Sequence, residues 1–269
     1  MSKRIGILAL CNTAFLLLLT FASATVGWLH YLIYLSAFII PALVALLLTR
    51  KEEKEGKGYL YIVKEDVKKV APLIMPTVAL VIIVSALTSL VMYLLLGRTN
   101  NVELGDSFVI ALIKHALLPA VLEELLFRYI PLRLLLPYSR RATVIISALF
   151  FSLVHHDFFT IPYAFIAGII FMAVDVATES VIPSLIMHFI NNALSVGLIV
   201  FKANPAFAPT VYAIIGACSI ASLIVIFIKR KEYKEMTSYA LTGGEHISFS
   251  PEMLIFVGVT LSMAVISLL

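Results

Sequence analysis

Residues 207–228 read FAPTVYAIIGACSIASLIVIFI and contain no Asp, Glu, Lys or Arg. A helix of this length extends about 33 Å, and the hydrocarbon core of a bilayer is about 30 Å thick. The residues that follow are Lys229, Arg230 and Lys231, a cationic group of the kind found where a chain leaves the membrane. This stretch therefore predicts a transmembrane helix.

The composition of the whole chain agrees with that reading. Of its 269 residues, 61% are hydrophobic and 13% charged, whereas soluble domains average about 45–50% and about 25%. This composition excludes a water-soluble globule. The net charge of +4 comes from basic residues in short connections, which indicates membrane topology and not nucleic acid as a partner. Cys11 and Cys218 lie in apolar runs, which excludes a disulfide framework.

Cutting the chain at charged, Pro and Gly clusters gives nine apolar stretches with no flexible linker or internal repeat between them. We expect an all-α polytopic bundle of eight or nine spans in one membrane domain, residues 1–269. The fifth and sixth stretches are short, so we expect them to span the bilayer only partly, around a central cavity. The stretches are Ile5–Val26, Leu29–Thr49, Ala71–Leu96, Ser107–Leu132, Ala142–His155, Ile161–Ala177, Val181–Val200, Phe207–Ile228 and Pro251–Leu269.

Lys and Arg accumulate in alternate connections, which predicts a multi-pass protein with a cytoplasmic N-terminus and an external C-terminus, in the cell membrane if the source is prokaryotic. The intervening connections carry only Arg98 and Lys202. The cationic connections contain Lys3, Arg4, Arg50, Lys51, Lys54, Lys57, Lys64, Lys68, Lys69, Arg133, Arg140, Arg141, Lys229, Arg230, Lys231 and Lys234.

Two segments allow a second reading. The first span ends in Ala22-Ser23-Ala24 and could be a signal peptide, but its apolar stretch exceeds the usual 7–15 residues, which favours a span. The segment Lys51–Lys69 mixes both charge signs, and we expect a solvated loop there, with a surface helix as the alternative.

Ionisable residues inside a span cost a few kcal/mol each, so each needs a partner, a cavity or a function. Glu124 and Arg128 are four apart and share a helix face, which predicts an ion pair. Glu123 lies about 100° around the helix from Glu124, so it cannot fully share the ion pair with Arg128. It is therefore the candidate for a functional role. Lys114 and Asp175 lie near span ends and suit structural roles. The ionisable residues within the spans are Lys114, His115, Glu123, Glu124, Arg128, His155, Asp175 and His188.

Four polar residues fall at similar depth. At ~1.5 Å per residue from the predicted cytoplasmic ends, Glu123 and His188 lie roughly 15 Å and 14 Å deep, and His155 and Asn192 roughly 21 Å and 20 Å. We therefore expect all four to share one water-containing cavity. We also expect that cavity to open toward the cytoplasmic side that bears Arg133, Arg140 and Arg141.

This set suits hydrolysis of an amide bond. A glutamate with a histidine nearby can deprotonate a trapped water, and a second histidine with an asparagine amide can donate hydrogen bonds to the oxyanion. The alternative is a zinc ion held by Glu123, His155 and His188. Because Asn192 suits oxyanion binding better than metal ligation, we expect no metal cofactor. The chain lacks the His-Glu-x-x-His, Gly-x-Ser-Gly and Gly-x-Gly-Asp motifs of other intramembrane proteases.

Three motifs in this order resemble those of the CPBP family: Glu123-Glu124-x-x-x-Arg128, Phe151-x-x-x-His155 and His188-x-x-x-Asn192. That family includes type II CAAX prenyl endopeptidases of the Ras-converting kind and prokaryotic relatives, some linked to bacteriocin self-immunity. The resemblance covers roughly Lys114 to Val200, within a catalytic core at about 107–200.

The resemblance implies an intramembrane endopeptidase in which Glu123 activates water with help from His155. It also implies that His188 and Asn192 stabilise the oxyanion, and that Glu124 and Arg128 support the site. His156 adjoins His155 and Asn191 adjoins Asn192, so in each pair either residue can supply the functional group.

Three functions are compatible with these features. The first is a peptidase that cuts a peptide near the cytoplasmic leaflet, with the C-terminal tripeptide of a prenylated CAAX protein as one candidate substrate. The second is a non-catalytic scaffold or immunity protein of the same fold, and the third is a proton-coupled transporter. The expected partners are membrane lipid and a peptide or protein substrate, and the oligomeric state stays open.

Overall fold

The computed structural model describes residues 1–23, 25–49, 59–60, 64–97, 104–244 and 250–266, and these residues form helices and turns with no β-strand. The helix α4 covers residues 108–135, in which the π-helical segments Ile113–Leu117 and Leu125–Tyr129 separate three α-helical stretches. The other helices are α1 Ser2–Ser23, α2 Trp28–Thr49, α3 Lys64–Leu96, α5 Arg140–Leu153, α6 Ile161–Thr178, α7 Ile182–Val200, α8 Phe207–Ile228, α9 Arg230–Leu241 and α10 Pro251–Ile266.

Six of the described helices are long and apolar enough to cross a membrane: α1, α2, α3, α6, α7 and α8. The chain is therefore an integral multi-pass membrane protein, as its composition predicts. The predicted count of eight or nine spans is not confirmed. The π-helical segments interrupt α4, while α5 has 14 residues and α10 has 16.

The helix boundaries depart from the predicted spans in two places. The helix α3 begins at Lys64 and not at Ala71, and its 33 residues extend about 50 Å, beyond the thickness of the bilayer core. The loop predicted over Lys51–Lys69 is therefore wrong from Lys64 onward, and residues 51–58 and 61–63 lie outside the described part of the chain, as does Ala24. The helix α9 follows α8 directly and was not predicted.

Successive spans run in opposite directions, so their ends collect in two layers. At one layer, Arg4 Nη1 donates to the carbonyl of Leu134 at 3.2 Å and Arg140 Nε donates to the carbonyl of Thr242 at 3.2 Å. We name this layer the cationic end. Its Lys and Arg residues in the described part of the chain are Lys3, Arg4, Lys64, Lys68, Lys69, Arg133, Arg140, Arg141, Lys229, Arg230, Lys231 and Lys234.

The other layer, which we name the far end, contains the start of α4, the end of α7 and the start of α8. The ring of Phe201 lies 5.1 Å from that of Phe108 and 4.9 Å from that of Phe207, so these three ends are fixed together. Lys114 and Lys202 are the described Lys and Arg residues on this side.

A close crossing of α5 and α6 sets the position of the motif on α5. A Cβ atom placed on Gly168 of α6 would lie 3.0 Å from the Cα of Ala148, so a larger residue would push the helices apart. One turn beyond Ala148, the ring of Phe151 packs edge-on against Phe127 of α4 at 5.9 Å. The glycine and the aromatic pair together hold the C-terminal end of α5 against α4.

Candidate active site

The two adjacent glutamates of α4 have different surroundings. Glu124 is buried, and its Oε2 lies 3.5 Å from Nε of Arg128, so the ion pair predicted from their spacing is present. The Glu123 side chain keeps 18% of its surface exposed and faces a cavity. The π-helical segment Leu125–Tyr129 begins directly after Glu124, and such segments occur frequently at functional sites.

Arg128 is fully buried and contacts several groups besides Glu124. Its Nη1 donates to the carbonyl of Phe127 at 3.2 Å and lies 3.5 Å from the hydroxyl of Ser147, which itself donates to the same carbonyl. Its Cζ lies 4.2 Å from the ring centroid of Phe151, a cation–π distance. Arg128 therefore joins α4 to α5 beneath the cavity.

His188 of α7 lies between the two glutamates. Its Nδ1 is 2.8 Å from Oε1 of Glu124, and its Nε2 is 3.7 Å from Oε2 of Glu123. Because the carboxylate of Glu124 is paired with Arg128 and accepts, Nδ1 carries a proton and Nε2 points toward Glu123. The sequence did not predict this contact, since His188 and Glu124 are 64 residues apart.

His155 lies just beyond the end of α5, at the edge of the same cavity. Its Nδ1 donates to the carbonyl of Phe151 at 2.8 Å, which leaves Nε2 as the ring atom that can accept a proton. The neighbouring His156 has a positive φ of 38°, and its Nδ1 lies 3.0 Å from the carbonyl of Val154. His155 lines the cavity, so the geometry favours it over His156.

Phe151 is a site residue that we did not predict. Its ring lies 5.2 Å from the ring of His155 and 5.6 Å from that of His188, in both cases edge to face, and it also faces Arg128. This one side chain therefore orients both histidines. The sequence feature that could have indicated this role is the position of Phe151 as the first residue of the Phe151-x-x-x-His155 motif.

The cavity has a volume of about 580 Å³ and brings Glu123, His155, His188 and Asn192 together, as their common depth predicted. Asn191 also lines it, and its Nδ2 lies 3.4 Å from Oδ1 of Asn192, so both asparagines remain candidates. His115, whose role the sequence left ambiguous, lines the cavity as well, and its spacing of four from Pro119 and eight from Glu123 places all three on one helix face. Further lining residues that we did not predict are Tyr163, Ser195 and Tyr212.

The direction in which the cavity opens stays a prediction. Between the cavity and the cationic end lies a buried polar layer, in which Arg128, Asp175, Ser147 and Ser184 have no exposed surface. The lining toward the far end comes from Leu104, His115, Leu198, Ile199 and Tyr212.

Asp175 stabilises the start of the helix that carries His188. Its Oδ1 accepts a hydrogen bond of 3.1 Å from the backbone N–H of Ser184, in the first turn of α7. The first N–H groups of a helix have no partner within it, and the helix dipole favours a negative charge at that position. The contact therefore fixes α7 one turn before His188, in keeping with the structural role expected for Asp175.

Replacing Asp175 with alanine is expected to lower the stability by about 1–3 kcal/mol, because a buried N–H loses its acceptor. Asp175→Asn retains an accepting oxygen and should lose less. The measurement is the apparent unfolding midpoint of the purified protein in detergent, with the exposed Glu65→Ala as control. An unchanged midpoint for Asp175→Ala would show that Ser184 does not depend on this carboxylate.

The zinc alternative stays open as a prediction. Within the described residues, no group of three or more His, Cys, Asp or Glu side chains is arranged to hold a metal ion. The Nδ1 atoms of His188 and His155 are engaged by Glu124 and by a carbonyl, which leaves both Nε2 atoms free, as in metal-ligating histidines. We derive no catalytic step through a metal.

Comparison with known proteins finds similarity over part of the chain. No curated protein and no solved structure matches the chain. A family model described as type II CAAX prenyl endopeptidase Rce1-like matches residues 105–194, about a third of the chain. The match includes Glu123, Glu124, Arg128, His155, His188 and Asn192. The resemblance read from the three motifs is thereby confirmed: residues 105–194 of this membrane protein match the Rce1-like family model, which is consistent with the CPBP family.

Proposed function

We propose that the protein is an intramembrane endopeptidase that hydrolyses a peptide bond with a water activated by Glu123, and that residues 107–200 are its catalytic core. The observation that carries the proposal is the shared cavity. Glu123, His155 and His188 reach it from three separate helical elements, within a segment that matches a peptidase family.

In the proposed reaction, the carboxylate of Glu123 accepts a proton from water, and the resulting hydroxide attacks the carbonyl carbon of the peptide. His155, whose Nε2 is free to accept, holds the water beside Glu123. The oxyanion of the tetrahedral intermediate accepts hydrogen bonds from the Asn192 amide and from Nε2 of His188. Glu123 then returns its proton to the amine that leaves, and the carbon–nitrogen bond breaks.

Glu124 and Arg128 support this chemistry without contact to the substrate. The Glu124 carboxylate accepts from Nδ1 of His188 and so orients the ring, in the way a buried carboxylate orients a catalytic histidine. In its doubly protonated form, His188 donates from Nδ1 to Glu124 and from Nε2 toward the cavity. Arg128 compensates the charge of Glu124 and packs on Phe151, which contacts both histidines.

We expect the purified full-length protein in lipid nanodiscs to cleave membrane-associated peptides, and mass spectrometry of the products to locate the bond. Two peptide sets should be compared, one farnesylated at a C-terminal CAAX cysteine and one unmodified but anchored by an apolar segment. Cleavage should persist in the presence of a chelator, because the proposed nucleophile is activated by Glu123 and His155 without a metal ion.

Other results of this assay would support a metal-dependent peptidase or one of the two non-peptidase functions. Loss of cleavage on chelation, with recovery on added zinc, would make Glu123, His155 and His188 metal ligands. The absence of cleavage across both peptide sets would instead support a scaffold or immunity protein, or a proton-coupled transporter.

A further inference from the structure

We infer that the hydroxyl oxygen of Tyr163 accepts a hydrogen bond from a backbone N–H of the bound peptide, next to the bond that is cut. Tyr163 then determines specificity by recognising the peptide backbone and not a side chain. The inference rests on the proposed peptidase function, whose mechanism does not use this residue.

Tyr163 lies on the cavity wall, in the first turn of α6. It lines the same cavity as Glu123 and His155. Its ring packs against two groups of buried side chains, one that includes Phe151 and one that includes Phe171. Because the ring is held by both groups, the hydroxyl is the part of this side chain that is left for a ligand.

A chain of hydrogen bonds fixes the direction of the Tyr163 O–H. In the loop between α5 and α6, Asp157 accepts from the Thr160 hydroxyl at 2.6 Å and from the backbone N–H of Phe159 at 3.2 Å. A hydroxyl has one proton, so Thr160 Oγ1 offers only lone pairs to a further partner. Tyr163 Oη lies 3.4 Å from Thr160 Oγ1 and is therefore the donor in that contact.

The Tyr163 oxygen consequently meets the cavity as an acceptor. Its single proton is directed to the loop, and its lone pairs remain for a donor on the substrate. In the proposed mechanism, Glu123 and His155 engage the attacking water. His188 and Asn192 engage the oxyanion. The N–H groups of the peptide therefore need an acceptor outside this set of four.

Such an acceptor matters because a peptide N–H loses its water when it enters the cavity, and an unpaired buried N–H is costly. The neighbouring lining residues on α6, Ala167 and Phe171, have no side-chain acceptor. Ser195 and Tyr212 also line the cavity, but both are exposed, whereas Tyr163 is partly buried. Tyr163 is therefore the acceptor whose loss the bound peptide would feel most.

The test combines a protein variant with a change in the substrate backbone. Tyr163→Phe removes the hydroxyl and keeps the ring. The substrates are versions of the cleaved peptide in which one backbone N–H at a time is replaced by an ester oxygen, with the scissile amide left unchanged. The measurements are kcat and KM of the purified full-length protein in lipid nanodiscs.

We expect one ester position to lower kcat/KM of the wild type by about five- to tenfold, the usual effect of one hydrogen bond, and to leave Tyr163→Phe unaffected. On the all-amide peptide, Tyr163→Phe should lose the same factor, mainly through a higher KM, because the contact exists in both the ground state and the transition state. The matched control is Tyr93→Phe, the same change at an exposed position of α3, which should behave as the wild type on every peptide.

Thr160→Val tests the hydrogen-bond chain, because Thr160 acts through Tyr163 and does not touch the substrate. The change keeps the branched shape but removes the acceptor, so the Tyr163 proton can turn toward the cavity. We expect the sensitivity to that ester position to fall in Thr160→Val and to return in Thr160→Ser. Full sensitivity in Thr160→Val would overturn the assigned direction of the O–H. If Tyr163→Phe does not accumulate, this pair of variants decides the inference.

Equal losses in the wild type and Tyr163→Phe at every ester position would overturn the inference, even if the variant is slower on all peptides. A lower kcat with an unchanged KM would also overturn it, because that pattern indicates a displaced His155 and not a lost substrate contact. In either case the proposed peptidase function stands. If the wild type cuts no peptide, the proposed function fails and the inference fails with it.

Discussion

Replacing Glu123 with glutamine is expected to abolish peptide cleavage while the protein still accumulates in the membrane. The amide keeps the size and polarity of the side chain but cannot accept a proton from water, so the nucleophile is no longer formed. The fold should be preserved because Glu123 lies at the cavity surface and the buried ion pair belongs to Glu124 and Arg128. The measurement is the cleavage rate of purified protein at matched concentration.

The matched control is Glu65→Gln, the same chemical change at an exposed position at the cationic end. It should cleave at the wild-type rate. Comparable rates for the wild type and Glu123→Gln would remove the proposed water activation. A loss of accumulation in Glu123→Gln would instead indicate that Glu123 contributes to folding through His188, whose Nε2 lies 3.7 Å away.

The mechanism is tested further by comparing how much turnover each of several variants loses. Asn192→Ala should reduce turnover by about 10²–10³-fold, the usual cost of losing one oxyanion donor, and should retain measurable activity. Asn191→Ala provides the comparison, since both amides line the cavity. A larger defect in Asn191→Ala would identify Asn191 as the oxyanion donor.

The sequence predicted those features that follow from periodicity and depth. Apolar stretches long enough to cross a bilayer revealed most helices, because lipid imposes a length and excludes charge. A spacing of four predicted the pair of Glu124 and Arg128, and counting residues from the cationic loops predicted that four polar residues share one cavity. Each of these inferences uses only the position of a residue along its own helix.

The features that the sequence did not predict depend on which helices pack against each other. Depth measured along an axis places His188 and Glu124 in one layer, but it does not reveal that His188 Nδ1 contacts Glu124 while Nε2 faces Glu123. The direction in which the cavity opens depends on such packing as well and stays a prediction. Arg128, Ser147 and Asp175 pack between helices in a buried layer on the cationic side of the site.

Replacing Arg128 with alanine is expected to cause the largest loss of stability of any single substitution in the site. The change removes the guanidinium from a fully buried position and leaves the Glu124 carboxylate without its cationic partner. Breaking a buried pair on one side typically costs 3–5 kcal/mol, because an uncompensated charge remains in a low-dielectric interior. The variant should therefore show a reduced folded yield in the membrane and a lower apparent unfolding midpoint, together with the loss of cleavage.

A double variant distinguishes the buried charge from the lost packing. Arg128→Met keeps an apolar stem against the Phe151 ring, and adding Glu124→Gln removes the charge that Arg128→Met alone leaves unpaired. We expect the double variant to accumulate better than either Arg128→Ala or Arg128→Met. It should remain inactive, because an amide at position 124 no longer provides the carboxylate that orients His188. Normal accumulation of Arg128→Ala with loss of turnover alone would contradict the supporting role and assign Arg128 to the substrate site.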